Sequence, residues 1–300
     1  MISVLIPIFN YDVTKLVGLL KEQLIIAKCK FEIICIDDAS TDFFLENDSL
    51  IEQDNVTFYK LPENVGRSKI RNLLADKAKY KWLLFLDADV LPEGDNFIKS
   101  YLNCIKSKKA KVFCGGIIYQ KEQPKDTKTL RWKYGKNREE IATLKRNKYP
   151  YHYFFGANFL IQKSVFNRCK FNETILKYGY EDVLFVQELR NNAISIKHIN
   201  NDVYHLGIEE NEFFLTKTKE SIENLYILNN KKIIQEQNIL ILKWVKRLEK
   251  FKLKRILALF YNLCGRMFER NLKSKTPSLF VFDIYKLTYF CYLSKVNLYK

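Results

Sequence analysis

The sequence predicts an α/β domain on a mixed, mostly parallel sheet flanked by helices, followed by a basic helical extension. Through the first 90 residues, short apolar runs alternate with polar segments of helical spacing, which is the pattern of successive βαβ units. Acidic residues follow those apolar runs, where open α/β sheets hold their ligands. Charge marks the extension: residues 231–300 carry 16 Lys/Arg against 4 Asp/Glu, so +12 of the formal +16 lies there.

Ser3–Ile8 is the first expected strand. No basic segment precedes it and the chain turns polar at Asn10, so the N-terminus reads as a strand and not as a leader. A helix over Thr14–Lys28 and a second strand over Glu32–Ile36 lead to Asp37-Asp38-Ala39-Ser40-Thr41-Asp42. Val56–Lys60 is a short strand, and Asn64-Val65-Gly66 turns the chain into a helix from Ser68 to Lys79. The apolar run Trp82–Leu86 fits a parallel strand buried on both faces, and it delivers Asp87-Ala88-Asp89. Three strand ends thus present Asn10, Asp37 with Asp38, and Asp87 with Asp89. An edge lined with carboxylates suits cations or sugar hydroxyls.

Val112–Tyr119 is expected as a further strand. The polar stretch from Gln120 to Tyr151, broken by Pro124, Gly135 and Pro150, reads as a functional lid or a disordered loop. Within it Trp132 and Tyr134 either stack on a sugar ring or anchor a helix to the core. Phe154–Ile161 resumes an apolar strand, and a helix over Val183–Asn191 places Glu181 and Asp182 at its N-terminus, where acidic side chains also serve as caps. Ile194–His198 and Val203–Leu206 are short strands or loop segments carrying His198 and His205. His198 and His152 read as structural.

From Ile239 to Phe268 a basic amphipathic helix is expected, with Leu240, Trp244, Leu248, Phe251, Leu259, Leu263 and Met267 on one face. Lys243, Lys246, Arg247, Lys250 and Lys254 crowd the other. Such a helix either covers a core or lies on an anionic membrane surface, here through residues 239–270. The apolar stretch Leu279–Leu293 is interrupted by Asp283 and Lys286 and is shorter than the ~20 residues a bilayer span needs, so no transmembrane helix is expected. Seven Cys without a C-x-x-C pair read as free thiols in a reducing compartment, hence the cytoplasm; if the basic helix lies on a membrane instead of covering a core, attachment is peripheral, on the cytoplasmic face of the inner membrane. The basic surplus is confined to one tail and no RNA- or DNA-binding motif accompanies it, so nucleic acid is not an expected partner. The expected domains are 1–230, with a donor half to about residue 118 and an acceptor half over 119–230, and the extension 231–300.

The ordered motifs Ser3-Val4-Leu5-Ile6-Pro7-Ile8-Phe9-Asn10, Ile34 to Asp42, Asn64-Val65-Gly66-Arg67 with Arg71-Asn72, and Phe85-Leu86-Asp87-Ala88-Asp89 resemble the family 2 glycosyltransferases of GT-A fold. The segment from Gly156-Ala157-Asn158 to Gly179-Tyr180-Glu181-Asp182 resembles the acceptor-side segment of galactosyltransferase-type members. The resemblance covers residues 1 to about 210. It implies transfer of a sugar from a nucleoside-diphosphate donor, UDP-linked, to a hydroxyl of a glycan or lipid-linked acceptor in surface polysaccharide synthesis, with Mn²⁺ or Mg²⁺ as cofactor. It further implies Asp89 and His205 as metal ligands, Asp87 toward the ribose and diphosphate, and Asp38 as acceptor of a hydrogen bond from the base. Pro7 or Phe9 would pack beside that base, with Asn10 at the donor. Arg67 and Arg71 begin the helix after the glycine turn and can reach phosphate. Asp182 corresponds to the general base, Glu181 would hold an acceptor hydroxyl, and Tyr180 joins Trp132 on the acceptor side.

Each assignment answers a chemical demand. The leaving diphosphate must be neutralised, the anomeric carbon presented, and the attacking hydroxyl deprotonated. One base without a carboxylate nucleophile implies a single displacement with inversion. A binding-only homologue is the alternative reading; such a chain has usually lost one of Asp89, Asp182 or His205, and all three are present.

Overall fold

The computed structural model describes residues 1–125, 127–175, 178–235 and 239–296. Their contacts form two compact units: Met1–Tyr119 with Glu139–Leu176 and Glu181–Gly207, and Gln120–Arg138 with Lys177–Tyr180 and Ile208–Lys300.

In the first unit the chain runs β1 (Ile2–Ile8), α1 (Thr14–Ile26), β2 (Phe31–Asp37), α2 (Phe44–Asp48), β3 (Val56–Lys60), α3 (Arg67–Lys77), β4 (Trp82–Leu86), β5 (Val90–Pro92), α4 (Phe97–Ser107), β6 (Val112–Cys114) and β7 (Ile117–Ile118). After α5 (Thr129–Arg138), which belongs to the second unit, come α6 (Thr143–Lys148), β8 (Asn158–Gln162), α7 (Lys163–Phe166), α8 (Glu181–Asn191), β9 (Ile196–His198) and β10 (Val203–His205). The main sheet has the order β3-β2-β1-β4-β8-β6-β9, and only β8 runs antiparallel to its neighbours. β4 is an unbroken apolar run and β2 is apolar apart from Glu32 and Asp37; both are covered on both faces and buried at every position.

Register sets the site. Ile8 pairs with Asp37 and β4 lies parallel on the other side of β1, so Asn10, Asp37, Asp38 and Asp87 all emerge at one sheet edge. Past Asp89 the chain enters β5, which pairs antiparallel with β10 and sets His205 opposite Val90. That ladder brings Asp89 and His205, 116 positions apart, together.

Two expectations for this unit are corrected. The expected strand Val112–Tyr119 is two strands in different sheets, β6 and β7, parted at Gly115-Gly116. A Cβ on Gly115 would lie 2.2 Å from Asn201 O, and one on Gly116 1.9 Å from Asp202 Oδ1, so only glycine lets the chain cross there. The stretch from Gln120 to Tyr151 is not an irregular lid: α5 and α6 occupy much of it, and Arg146 of α6 is buried with its guanidinium on the carbonyls of Gly115 and Ile199 and on Asp202.

The second unit adds α9 (Asn211–Asn230), α10 (Leu240–Lys250), α11 (Lys254–Leu272) and α12 (Leu279–Val296) to α5. Leu130, Leu215, Phe268, Leu272, Phe282 and Tyr285 form its core, and the Tyr134 ring packs on Phe214 and Phe282, so Tyr134 anchors a helix. The expected single helix over Ile239–Phe268 is instead two, and its expected apolar face is largely exposed. α10 ends in a Schellman turn: Lys252 sits at φ 57, its amide donates to Glu249 O at 3.0 Å, and Leu253 N donates to Leu248 O at 2.9 Å. Glycine ordinarily marks such a stop, and Lys stands here in its place. Lys252→Gly should therefore raise stability by about 0.5–1 kcal/mol in urea unfolding, by relieving the left-handed strain of a residue with a Cβ. No described helix is long and apolar enough to cross a membrane.

Candidate active site

At the ends of β1 and β2 the side chains build a loop scaffold. Asn10, at φ 49, accepts the amides of Thr41 and Asp42 on Oδ1 at 2.8 and 3.2 Å, and Asp37 accepts that of Ser40 at 2.7 Å. Asp38 is buried, and its carboxylate takes the amides of Val65 at 2.7 Å and Gly66 at 3.1 Å, which ties the turn before α3 to the end of β2. Burial pushes its pKa above the usual carboxylate range although the two amides pull it down. Phe9 stands 55% exposed beside this scaffold, and Pro7 is half-buried.

Gly66, at φ 82, opens α3, which carries Arg67 in its first turn and Arg71 one turn on. Arg71 points inward. It is 2% exposed, lies over the Phe171 ring, and forms an ion pair with Asp87 at 2.6 Å. Arg67 is 45% exposed and joins two carboxylates, Glu181 at 2.8 Å and Asp87 at 3.4 Å. Burial raises the pKa of Asp87, but the guanidinium groups of Arg71 and Arg67 outweigh it and hold the carboxyl below its ordinary value. Asn72 clamps the segment that follows α7, exchanging hydrogen bonds with the Phe171 backbone at 2.9 and 3.0 Å.

Glu181 and Asp182 form the first turn of α8. Asp182 Oδ2 accepts the amide of Gly156 at 2.9 Å, while Oδ1 is buried without a hydrogen-bond partner among the described residues. A Cβ on Gly156 would lie 2.5 Å from that Oδ1, so only glycine leaves room for the carboxylate there. Burial, reinforced by the neighbouring Glu181 carboxyl, pushes Asp182 up to about 6 against the pull of Arg71 and Arg67.

Asp89 and His205 form the second centre. Asp89 Oδ2 lies 3.6 Å from His205 Nε2, and the imidazole stacks on the Tyr119 ring at 5.6 Å. A Cβ on Gly207 would lie 2.1 Å from the same Asp89 oxygen, a clearance that residue spacing does not reveal. Donors to one Mg²⁺-sized ion sit about 3 Å apart, so this carboxylate and imidazole fit a shared divalent cation after small rotations. Among the described residues no three His, Cys, Asp or Glu side chains gather as a metal cage. A Mg²⁺-type site that uses substrate phosphate needs only one or two protein ligands.

The structure thus gathers Phe9, Asp38, Arg67, Arg71, Asp87, Asp89, Glu181, Asp182 and His205 within one unit, whereas Trp132 and Tyr180 belong to the other. In that unit the Trp132 Nε1–H donates to Gln120 O at 2.9 Å. Tyr180 sits at φ 71 next to Gly179, whose carbonyl accepts Asn224 Nδ2 at 2.6 Å. His198 is structural: its Nε2–H donates to Pro150 O at 2.9 Å, and burial lowers its pKa to about 4, which keeps the ring neutral.

Sheet order and strand-end carboxylates together define a GT-A glycosyltransferase fold. Staphylococcus aureus TarS 1–349 in complex with UDP-GlcNAc superposes with a TM-score of 0.52 at 20% identity, over 98% of this chain and 92% of that one. TarS 1–349 alone gives 0.52 at 18% identity, over 99% and 92%. The chain belongs to the family described as Glycosyl transferase family 2, whose pattern matches residues 3–170. Among curated proteins, uncharacterized glycosyltransferases of Rickettsia conorii and Rickettsia felis are 37% and 36% identical to it over 90 residues, 30% of this chain. The match takes in 15% of the length of each relative.

Proposed function

We propose that this chain transfers a sugar from a UDP-linked donor to a hydroxyl of a glycan or lipid-linked acceptor, by a single inverting displacement, in surface polysaccharide synthesis at the cytoplasmic face of the membrane. The observation that carries this reading is Asp182, a buried carboxylate with one oxygen anchored, the other unpartnered, and a pKa raised toward neutrality.

A base works best with a pKa near the working pH, where it is ionised yet still basic enough to take a proton. In this reading Oδ1 removes the proton of the acceptor hydroxyl as the hydroxyl attacks the anomeric carbon. The new carbon–oxygen bond forms while the bond to the diphosphate breaks, and the electron pair leaves with the phosphate. Gly156 fixes Oδ2 and thereby aims Oδ1. Arg67 is exposed enough to turn from Glu181 and Asp87 toward a phosphate, whereas Arg71, buried over the Phe171 ring, holds Asp87 in place and takes a positioning role. Phe9 offers a ring face to the base of the nucleotide. Asp89 and His205 would hold a divalent ion, Mn²⁺ or Mg²⁺, which when bound acts as a Lewis acid on the diphosphate.

Calorimetric titration of UDP tests the donor side. Wild type should bind UDP in the presence of Mn²⁺, and Asp89→Ala and Gly207→Ala should each weaken that binding by about a hundredfold, the first by removing a ligand and the second by displacing it. Unchanged Mn²⁺-dependent affinity in both variants would place the metal elsewhere.

A further inference from the structure

α11 is apolar on two faces. Ala258, Gly265, Phe268 and Leu272 are buried, whereas Ile256, Leu259, Phe260, Leu263 and Met267 are exposed, Leu263 to 83%. Counted from Ile256, the exposed residues fall at spacings of 3, 4, 7 and 11, one continuous stripe along the helix. A helix that covers a core needs only its inward face to be apolar. α10 repeats the arrangement: Leu242 and Val245 are buried, while Leu240 and Trp244, with Phe251 just past its end, are exposed. An apolar surface of this extent on a folded chain marks an interaction site.

Charge selects the occupant. Residues 231–300 carry a net +12, and Lys243, Lys250, Arg255, Arg266 and Arg270 are exposed on the same two helices. The acidic side chains there are already matched, Glu249 with Lys254 and Glu269 with Lys219, each at 2.6 Å. A second copy of the chain would set like charges face to face. Nucleic acid would answer the charge but leave Ile256, Leu263 and Met267 in water. An anionic bilayer answers both, with phosphate headgroups for the cations and the acyl boundary for the stripe. Neither helix can cross it, so they lie on it.

We propose that α10 and α11 dock this chain on an anionic phospholipid surface, the α11 stripe entering the headgroup boundary and the α10 cations lying among the phosphates. The assignment does not depend on the transfer chemistry, and its test involves no turnover. The full chain is co-sedimented with vesicles of equimolar phosphatidylglycerol and phosphatidylcholine, and with vesicles of phosphatidylcholine alone. Wild type should bind the first, more weakly as salt rises, and should leave the second in suspension. Leu263→Glu with Met267→Glu should lower the partition coefficient about a hundredfold, and the milder Leu263→Ala with Met267→Ala about tenfold, with far-UV circular dichroism unchanged. Lys243→Gln with Lys250→Gln and Arg255→Gln should cost about tenfold or more. Three results would overturn the proposal: equal or absent sedimentation with the two vesicle types, binding to duplex DNA that outcompetes vesicles and ignores the Leu263 and Met267 changes, or a dimer that those changes dissolve while vesicle binding persists.

Discussion

Asp182→Asn should slow sugar transfer by about a hundredfold or more while making the protein more stable. Removing a general base costs about 10²–10⁴ in rate, and Asn cannot take the acceptor's proton. Its carbonyl can still accept the Gly156 amide, so the fold keeps that contact. The stability effect runs the opposite way. The Asp182 carboxyl titrates at about 6 when folded against 3.8 in an unperturbed setting, so between these values the folded chain holds a proton that the unfolded chain has lost. Stability therefore falls as pH rises through that window, and the loss persists at neutral pH. Asn never ionises. The variant should match wild type below pH 3.8 and exceed it at neutral pH by on the order of 1–2 kcal/mol in thermal unfolding. Loss of activity together with loss of stability would mean that Asp182 holds the fold instead.

Asp87→Ala should be the most destabilising change at this site. It leaves the buried Arg71 guanidinium without its 2.6 Å carboxylate partner, and stranding a charge in this way costs about 3–5 kcal/mol. Arg67 would keep Glu181, so α8 stays tethered to α3. Asp87→Ala with Arg71→Met removes both charges, and Met can still lie over Phe171. This pair should recover most of the lost stability without recovering donor binding, if Asp87 also serves the ribose. Urea unfolding of the single and double variants separates the two contributions, and additive losses would show that the pair is not coupled.

The parallel half of the fold was legible because its signals are local. Val56–Lys60 and Trp82–Leu86 are strands with the bounds their apolar runs and turn residues suggest, and the strand-end carboxylates follow from the register. What stayed hidden depends on contacts between distant residues. The split between β6 and β7 is forced by Asn201 and Asp202 from far along the chain. α5 and α6 escape a reading by periodicity because Arg131 and Arg146, normally surface residues, are buried in them. The break after α10 has no glycine to announce it. At the site, the acidic residues were visible as a pattern, but neither the inward turn of Arg71 nor the clearance that Gly207 gives Asp89 can be read from spacing.

If Asp182 is the base of a UDP-sugar transferase, its ionisation governs the pH dependence of kcat/KM. UDP release would be followed for a panel of UDP-glucose, UDP-galactose and UDP-GlcNAc with Mn²⁺. With the donor that turns over, wild type should show an acidic limb with a midpoint near 6, and Asp182→Asn should retain only a small, pH-independent residue of that rate. A flat wild-type profile across this range, or an Asp182→Asn variant with the wild-type rate and limb, would contradict the assignment.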